Sequence, residues 1–258
     1  MSRRKVSIGT ALAVMAVLVF ATTGAPANND DDVRTYEVTI TNETSGQPLT
    51  PPVVATHSGK NQVFEVGQPA SVGVREIAEN GNNAPLLAFL GADPFDRISE
   101  SKQAGMGPLV PEGTPGGVEV PPSGDEFPDS VTFEITAEEG ANRLSFVSML
   151  ICTNDGFTGV NGLRLPSRVG RTITAETAGY DAFTEVNDED FAHIVPPCQG
   201  LIGVSSGEMG EGVSNPALAE GGVISHHQGI KGGSDLVPEV HGWDTDEEVA
   251  EISVTRLS

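Results

Sequence analysis

Cations are what this chain lacks most. Its 258 residues hold 14 lysines and arginines against 36 aspartates and glutamates, a formal charge of −22. After Lys5 the only lysines are Lys60, Lys102 and Lys231. So acidic a surface repels nucleic-acid phosphates and anionic lipid headgroups, which excludes both as partners. Aromatic residues make up 5% of the chain, with a single tryptophan, too little stacking surface for an ordinary sugar-binding cleft. There is no HExxH and no CxxC spacing, so the common zinc signatures are missing. Beyond residue 20 no apolar run is long enough to span a bilayer, so no stable membrane insertion is expected.

What is present begins with Met1-Ser2-Arg3-Arg4-Lys5, an apolar run from about Ile8 to Phe20, and Ala25-Pro26-Ala27. A basic start, a short apolar core and an Ala-x-Ala exit predict a secretory signal peptide over residues 1–27, hence a secreted or cell-surface protein. Ser2-Arg3-Arg4 also resembles a twin-arginine signal, so either export route is open. Removal of Arg3, Arg4 and Lys5 would take the charge from −22 to −25. Such an excess suits concentrated salt, where the Debye length falls to about 3 Å at 1 M and self-repulsion fades. A halophilic source is the first expectation, an ordinary acidic secreted protein the second.

An acidic linker is expected over residues 28–34, then one domain over 35–258. Alternation in Tyr36-Glu37-Val38-Thr39-Ile40, Val131-Thr132-Phe133-Glu134-Ile135 and Ile252-Ser253-Val254 predicts half-buried strands. Leu144 to Ile151 is apolar on both faces, as a central strand is. Arg171–Thr174 and Gly222–His226 are weaker strand candidates. One helix is expected from about Ser71 to Asn80, with a short helical turn over Ala84–Leu90 after Gly81-Asn82-Asn83. Residues 105–128, with six prolines and six glycines, and residues 200–222 read as long surface loops. The fold class is therefore all-β: an antiparallel β-sandwich with one short helical insertion and long Gly/Pro-rich loops.

Cys152 and Cys198, the only cysteines, predict one disulfide in an exported chain. Asn42-Glu43-Thr44 is a glycosylation sequon, a weak signal. Gly203-Val204-Ser205-Ser206-Gly207 fits the Gly-x-Ser-x-Gly pattern, yet Glu208-Met209-Gly210-Glu211-Gly212 makes a poor helix where a nucleophile elbow needs a good one. His226 and His227 are adjacent, so on a strand they point to opposite faces and do not chelate one ion. An extracellular hydrolase using Ser205 or a carboxylate pair is thus the alternative, and the first expectation is no enzyme.

Thr153-Asn154-Asp155-Gly156-Phe157 leaves the central strand, and Tyr180-Asp181-Ala182-Phe183-Thr184-Glu185 carries acids four residues apart. Calcium takes six to eight oxygens from such loops, and carboxylates gathered without a cation would repel. Asn187-Asp188-Glu189-Asp190, denser in charge, reads as solvated surface.

These two loops resemble the metal loops of the spondin N-terminal domain family. Tyr36-Glu37-Val38-Thr39-Ile40-Thr41-Asn42 with Pro51-Pro52-Val53-Val54-Ala55-Thr56-His57 resembles its opening, and Ile252 to Leu257 its last strand. The likeness covers about residues 35–258. It implies a secreted C2-like β-sandwich that binds Ca2+ and serves adhesion or matrix interaction, with an extracellular protein or glycan as partner. Carried over residue by residue, the implied ligands are Asp155, Asp181 and Glu185. Two departures stand out: Phe183 replaces a glycine and Glu185 an aspartate. A positive φ at Phe183 would be strained.

Overall fold

Period-2 alternation sorts side chains to opposite faces of a strand, and here it builds two sheets. In a computed structural model of the chain, the described residues are 33–59, 62–92, 97–111, 127–204, 206–246 and 248–258. The expected signal peptide, most of the expected linker, most of the loop at 105–128, and Ser205 lie outside them. In order, the elements are β1 (Arg34–Asn42), β2 (Val53–His57), α1 (Val72–Asn80), α2 (Ala84–Gly91), β3 (Ile98–Gln103), β4 (Ser130–Ala137), β5 (Arg143–Met149), β6 (Gly156–Arg164), β7 (Thr172–Thr177), β8 (Gly179–Asp181), α3 (Pro197–Ile202), β9 (Ser225–His226), α4 (Pro238–His241) and β10 (Ala250–Arg256).

One sheet runs β4-β1-β10-β7 and the other β3-β2-β5-β6-β8-β9, with every pairing antiparallel. In the four-stranded sheet, Val38 faces Val254 and Phe133, and Ile40 faces Ile252 and Val131. Its other face carries threonines paired across strands, Thr39 with Thr132 and Thr172 with Thr255. One side is thus apolar and the other wet, as alternation dictates.

The six-stranded sheet is buried on both sides at its central strands, β2 and β5. From β5, Leu144 and Phe146 join a core with Tyr36, Val38, Ile40, Ile252 and Val254 of the other sheet. Val147 and Met149, pointing the opposite way, pack with Val74, Ile77, Leu86 and Leu90 of the helices. That is why β5 reads as apolar on both faces. Burying each such side chain is worth about 2 kcal/mol.

The first helix starts one residue after Ser71, whose hydroxyl accepts the Val74 N–H (3.2 Å), and stops at Gly81 in the left-handed region. The expected turn after it is a full helix, α2. A Cβ at Gly73 would lie 2.9 Å from Leu86 Cα, so the close approach of α1 to α2 requires glycine there. The short helices α3 and α4 have no helical periodicity to announce them. They begin at or beside prolines, and α3 runs into the stretch at 200–222 that reads as a loop. The strand expected at Gly222–His226 shrinks to two residues.

Cys152 and Cys198 form a disulfide with Cα atoms 5.1 Å apart, joining the end of the central strand to α3. Asn42, in contrast to its sequon reading, is 1% exposed. Its Nδ2 donates to the Gln47 and Leu109 carbonyls (2.8 and 3.0 Å), and its Oδ1 accepts from Thr44. The amide a glycan would need is spent on holding a turn. Among the described residues, no helix is long and apolar enough to cross a membrane.

Candidate metal centre

Residues 150–156 reverse the chain between β5 and β6. Thr153 donates its hydroxyl to the Leu150 carbonyl (2.7 Å) and accepts the Gly156 N–H (2.8 Å). A Cβ at Gly156 would meet Thr153 Oγ1 at 2.4 Å, so the turn closes only around glycine. Buried Gln47 clamps it from outside: its Oε1 accepts the Cys152 N–H (3.0 Å), and its Nε2 donates to the Cys152 carbonyl (3.1 Å) and to that of His241. This turn delivers Asp155 to the head of β6, where β8 pairs Asp181 with Gly156. Phe157 and Tyr180 pack with Phe64 behind it, ring centroids 5.2 to 5.4 Å apart.

Asp155 is fully buried (0% exposed). Its Oδ2 accepts the Thr184 and Glu185 N–H groups (2.6 and 3.0 Å) and the Thr184 hydroxyl (3.2 Å). Its Oδ1 is buried with no hydrogen-bond partner among the described residues. Burial, followed by the charge of Asp181, pushes this carboxyl up to about 7, against the pull of the Thr184 and Glu185 donors. Asp181 accepts the Phe183 N–H (2.7 Å) on Oδ1 and the Asn187 amide (2.8 Å) on Oδ2. Its carboxyl is also raised by burial. An acceptor oxygen with no donor, beside a second buried carboxylate, fits the chemistry of a hard cation.

Phe183 has φ 53°, in the left-handed region that a residue with a Cβ enters only with strain. Its side chain lies against Gly222, where a Cβ would come within 2.7 Å of Phe183 Cβ. The loop keeps the glycine-like backbone and carries the side chain at a cost in strain.

Glu185 lies in the same loop but its side chain turns away. Its Oε1 accepts the Asn215 N–H, and it lines a cavity with Glu79 and Arg75 that includes neither aspartate. Burial, then the charges of Glu79 and Asp188, push it up to about 7, although the Asn215 N–H and the nearby His193 pull down. Of the three expected ligands, the structure brings Asp155 and Asp181 together, while Glu185 contributes its N–H to Asp155 and its carboxylate elsewhere.

The acidic run that reads as solvated surface is partly buried. Asp188 accepts from Asn154 (2.9 Å) and pairs with His193 (2.6 Å), which raises the histidine. Glu189, 6% exposed and also at positive φ (58°), accepts the Lys231 and Gly233 N–H groups (2.5 and 2.6 Å), one on each oxygen. Asp190 Oδ, Glu208 Oε and Asp235 Oδ atoms lie within 4.8 Å of one another, the one such acidic group among the described residues. Sequence reasoning passes over it because Asp235 arrives from a distant loop. Glu208 is exposed, and Asp190 and Asp235 already accept backbone N–H groups of Ala192 and Phe191.

Of the hydrolase pattern, the residues before Ser205 are helix α3, which ends at left-handed Gly203, rather than a strand. His226 is exposed against Tyr180 (5.4 Å), whereas His227 is buried against Trp243 (5.1 Å). Compared with known proteins, the chain matches no family model and no curated protein.

Proposed function

We propose that this chain is a secreted, calcium-binding β-sandwich protein of the spondin N-terminal type, acting in cell-surface adhesion or extracellular matrix interaction with a protein or glycan partner. The observation that carries the calcium reading is Asp155: a fully buried carboxylate with three donors on one oxygen and none on the other, set beside Asp181. A cation at Oδ1 supplies the missing partner and removes the repulsion between the two aspartates. Asp155 and Asp181 are its carboxylate ligands. Glu185 and Thr184 orient Asp155 through their N–H groups. The sandwich supports this reading through one core that draws on both sheets. The disulfide suits an oxidising, extracytoplasmic compartment. The acid-rich composition suits concentrated salt.

The test is a thermal melt of chelator-treated protein in high salt with and without calcium. A ligand at 100 times its dissociation constant, bound to the folded state alone, adds about 2.7 kcal/mol. Calcium is expected to raise the melting temperature of the native protein and to leave Asp155→Asn unmoved. An equal calcium response in the variant would remove Asp155 from the site, and no response in either would end the calcium reading.

A further inference from the structure

Residues 227–241 are closed at each end by a buried histidine. His227 is 5% exposed and His241 0%. Nδ1 of His227 accepts the Gly229 N–H (3.0 Å), and Nδ1 of His241 accepts the Val237 N–H (2.9 Å). The Val237 carbonyl, which accepts the His241 N–H (2.8 Å), lies farther from that ring nitrogen (3.3 Å), and a proton on Nδ1 would meet the Val237 N–H head-on. Each neutral ring therefore carries its proton on Nε2. Both Nε2 atoms are buried with no hydrogen-bond partner among the described residues. The rings pack against Trp243 (5.1 Å) and Phe191 (5.6 Å). Between the two histidines, Ile230 and Leu236 are buried in the core that holds Phe191 and Cys198.

A second proton on either ring has one place to go, Nδ1. There it turns an acceptor into a donor and sets it against the Gly229 or Val237 N–H. Lys231 is the charged group that acts on His227, adding to burial, and burial alone disfavours the charged form of His241, against the pull of the Val237 carbonyl. No carboxylate acts on either ring to receive the charge. The closed arrangement is thus favoured above about pH 6.5 and loses ground as pH falls toward 4. His57 marks the contrast. It is equally buried, but its Nδ1 lies 2.8 Å from the Ser58 carbonyl and its Nε2 2.8 Å from the Ser145 hydroxyl, so a charged ring keeps an acceptor on each nitrogen. We propose that residues 227–241 are a proton-operated latch, held shut by neutral His227 and His241 and released when they are protonated, with the sandwich intact beneath. Release uncovers the apolar surface under Ile230 and Leu236, in the core cluster that includes Cys152 and Cys198. The latch does not rest on the calcium reading, since its locks are backbone N–H groups of its own segment.

The experiment is hydrogen exchange read by mass spectrometry on the full chain in high salt, at pH 7 and pH 4.5, corrected for the intrinsic pH dependence of exchange. Protection of residues 227–241 is expected to fall at least tenfold at pH 4.5, while β1, β5 and β10 change less than about threefold. His227→Asn and His241→Asn keep a side-chain oxygen near the place of Nδ1 and do not titrate. Each is expected to reduce the fall, and the double variant to bring it below about threefold. Nitrogen NMR of the native imidazoles reads the tautomers without any variant, with Nε2–H expected on both rings at pH 7. It keeps the test decisive even if the double variant misfolds. No fall at pH 4.5 overturns the latch, and so does an equal fall in the strands, which is global acid unfolding. An Nδ1–H tautomer on His227 removes its lock. A tenfold fall that persists in the folded double variant moves the trigger to another acid and overturns the proposal as well.

Discussion

Asp155 and Glu189 are both buried carboxylates on loops at the same end of the molecule, and they are satisfied in opposite ways. Each oxygen of Glu189 takes one backbone N–H, from Lys231 and Gly233, and its carbonyl takes those of Asp235 and Leu236 (3.0 and 3.2 Å). Asp155 crowds three donors onto Oδ2 and leaves Oδ1 bare. A carboxylate covered on both oxygens is a staple that holds the 231–236 loop in place. One covered on a single oxygen is held in position for something else. Burial and charge do not separate the two cases; the distribution of donors does.

The largest effect comes from breaking the staple. Glu189→Ala removes two charge-assisted hydrogen bonds, to the Lys231 and Gly233 N–H groups, at about 1.5 to 3 kcal/mol each, and is expected to destabilise the fold by about 4 kcal/mol. Chemical denaturation measures it. The loss should be the same with calcium and with chelator, and a calcium-dependent loss would place Glu189 with the metal ligands instead.

Titration separates the corners next. The Asp155 carboxyl rises from 3.8 to about 7 in the folded chain. Its folded value lies above its unfolded one, so its stabilising contribution is complete below about pH 4 and is lost as pH rises through 7. The difference corresponds to roughly 4 kcal/mol at most. Chelated protein should therefore weaken between about pH 4 and 7, and Asp155→Asn should flatten that slope. At the proposed site calcium would compete with the proton, so its apparent affinity should climb over the same interval and level off above pH 7. His227 works in the other direction. Burial, then the charge of Lys231, lowers it from 6.5 to about 4. That contribution is present above pH 6.5 and is lost as pH falls toward 4, by roughly 3 kcal/mol. Melts of chelated native, Asp155→Asn and His227→Gln proteins across pH 4 to 8 resolve the two arms. If Asp155→Asn keeps the alkaline slope, that slope comes from another acid.

How far these corners can be read from sequence depends on where their partners lie. Tyr36, Val38 and Ile40 alternate, and Leu144 to Ile151 does not, so an amphipathic sheet strand and a doubly buried one are both visible in the chain itself. Ser71 and Gly81 mark the ends of α1 for the same local reason. Asp155 is legible because a long apolar strand runs into it. The direction of the Glu185 side chain is not, since Glu79 and Asn215 lie far away in sequence. Glu189 reads as surface because its partners are backbone N–H groups of residues 231 and 233, which carry no side-chain signature. Asn42 shows the same limit, with a motif match consumed by a turn that only the fold reveals.

The finest test of the Asp155 corner is the backbone that feeds it. Phe183 holds φ 53° between the carboxylate of Asp181, which accepts its N–H, and Thr184, whose N–H reaches Asp155. Replacing it by glycine relieves strain of order 1 kcal/mol but also loses the ring, so that variant alone decides little. Valine loses the ring as well and, being β-branched, tolerates the left-handed region worst. The gap between Phe183→Gly and Phe183→Val therefore isolates the backbone. Glycine is expected to be the more stable by about 1 kcal/mol and to bind calcium at least as tightly as the native protein. Equal stability of the two variants, read as equal denaturant midpoints and slopes, would mean that the loop does not need the left-handed turn. Asp155 would then owe its two N–H donors to the zipper with residues 218–220, where Val186 bonds Leu218 and Glu220 bonds Thr184 (2.9 and 3.1 Å).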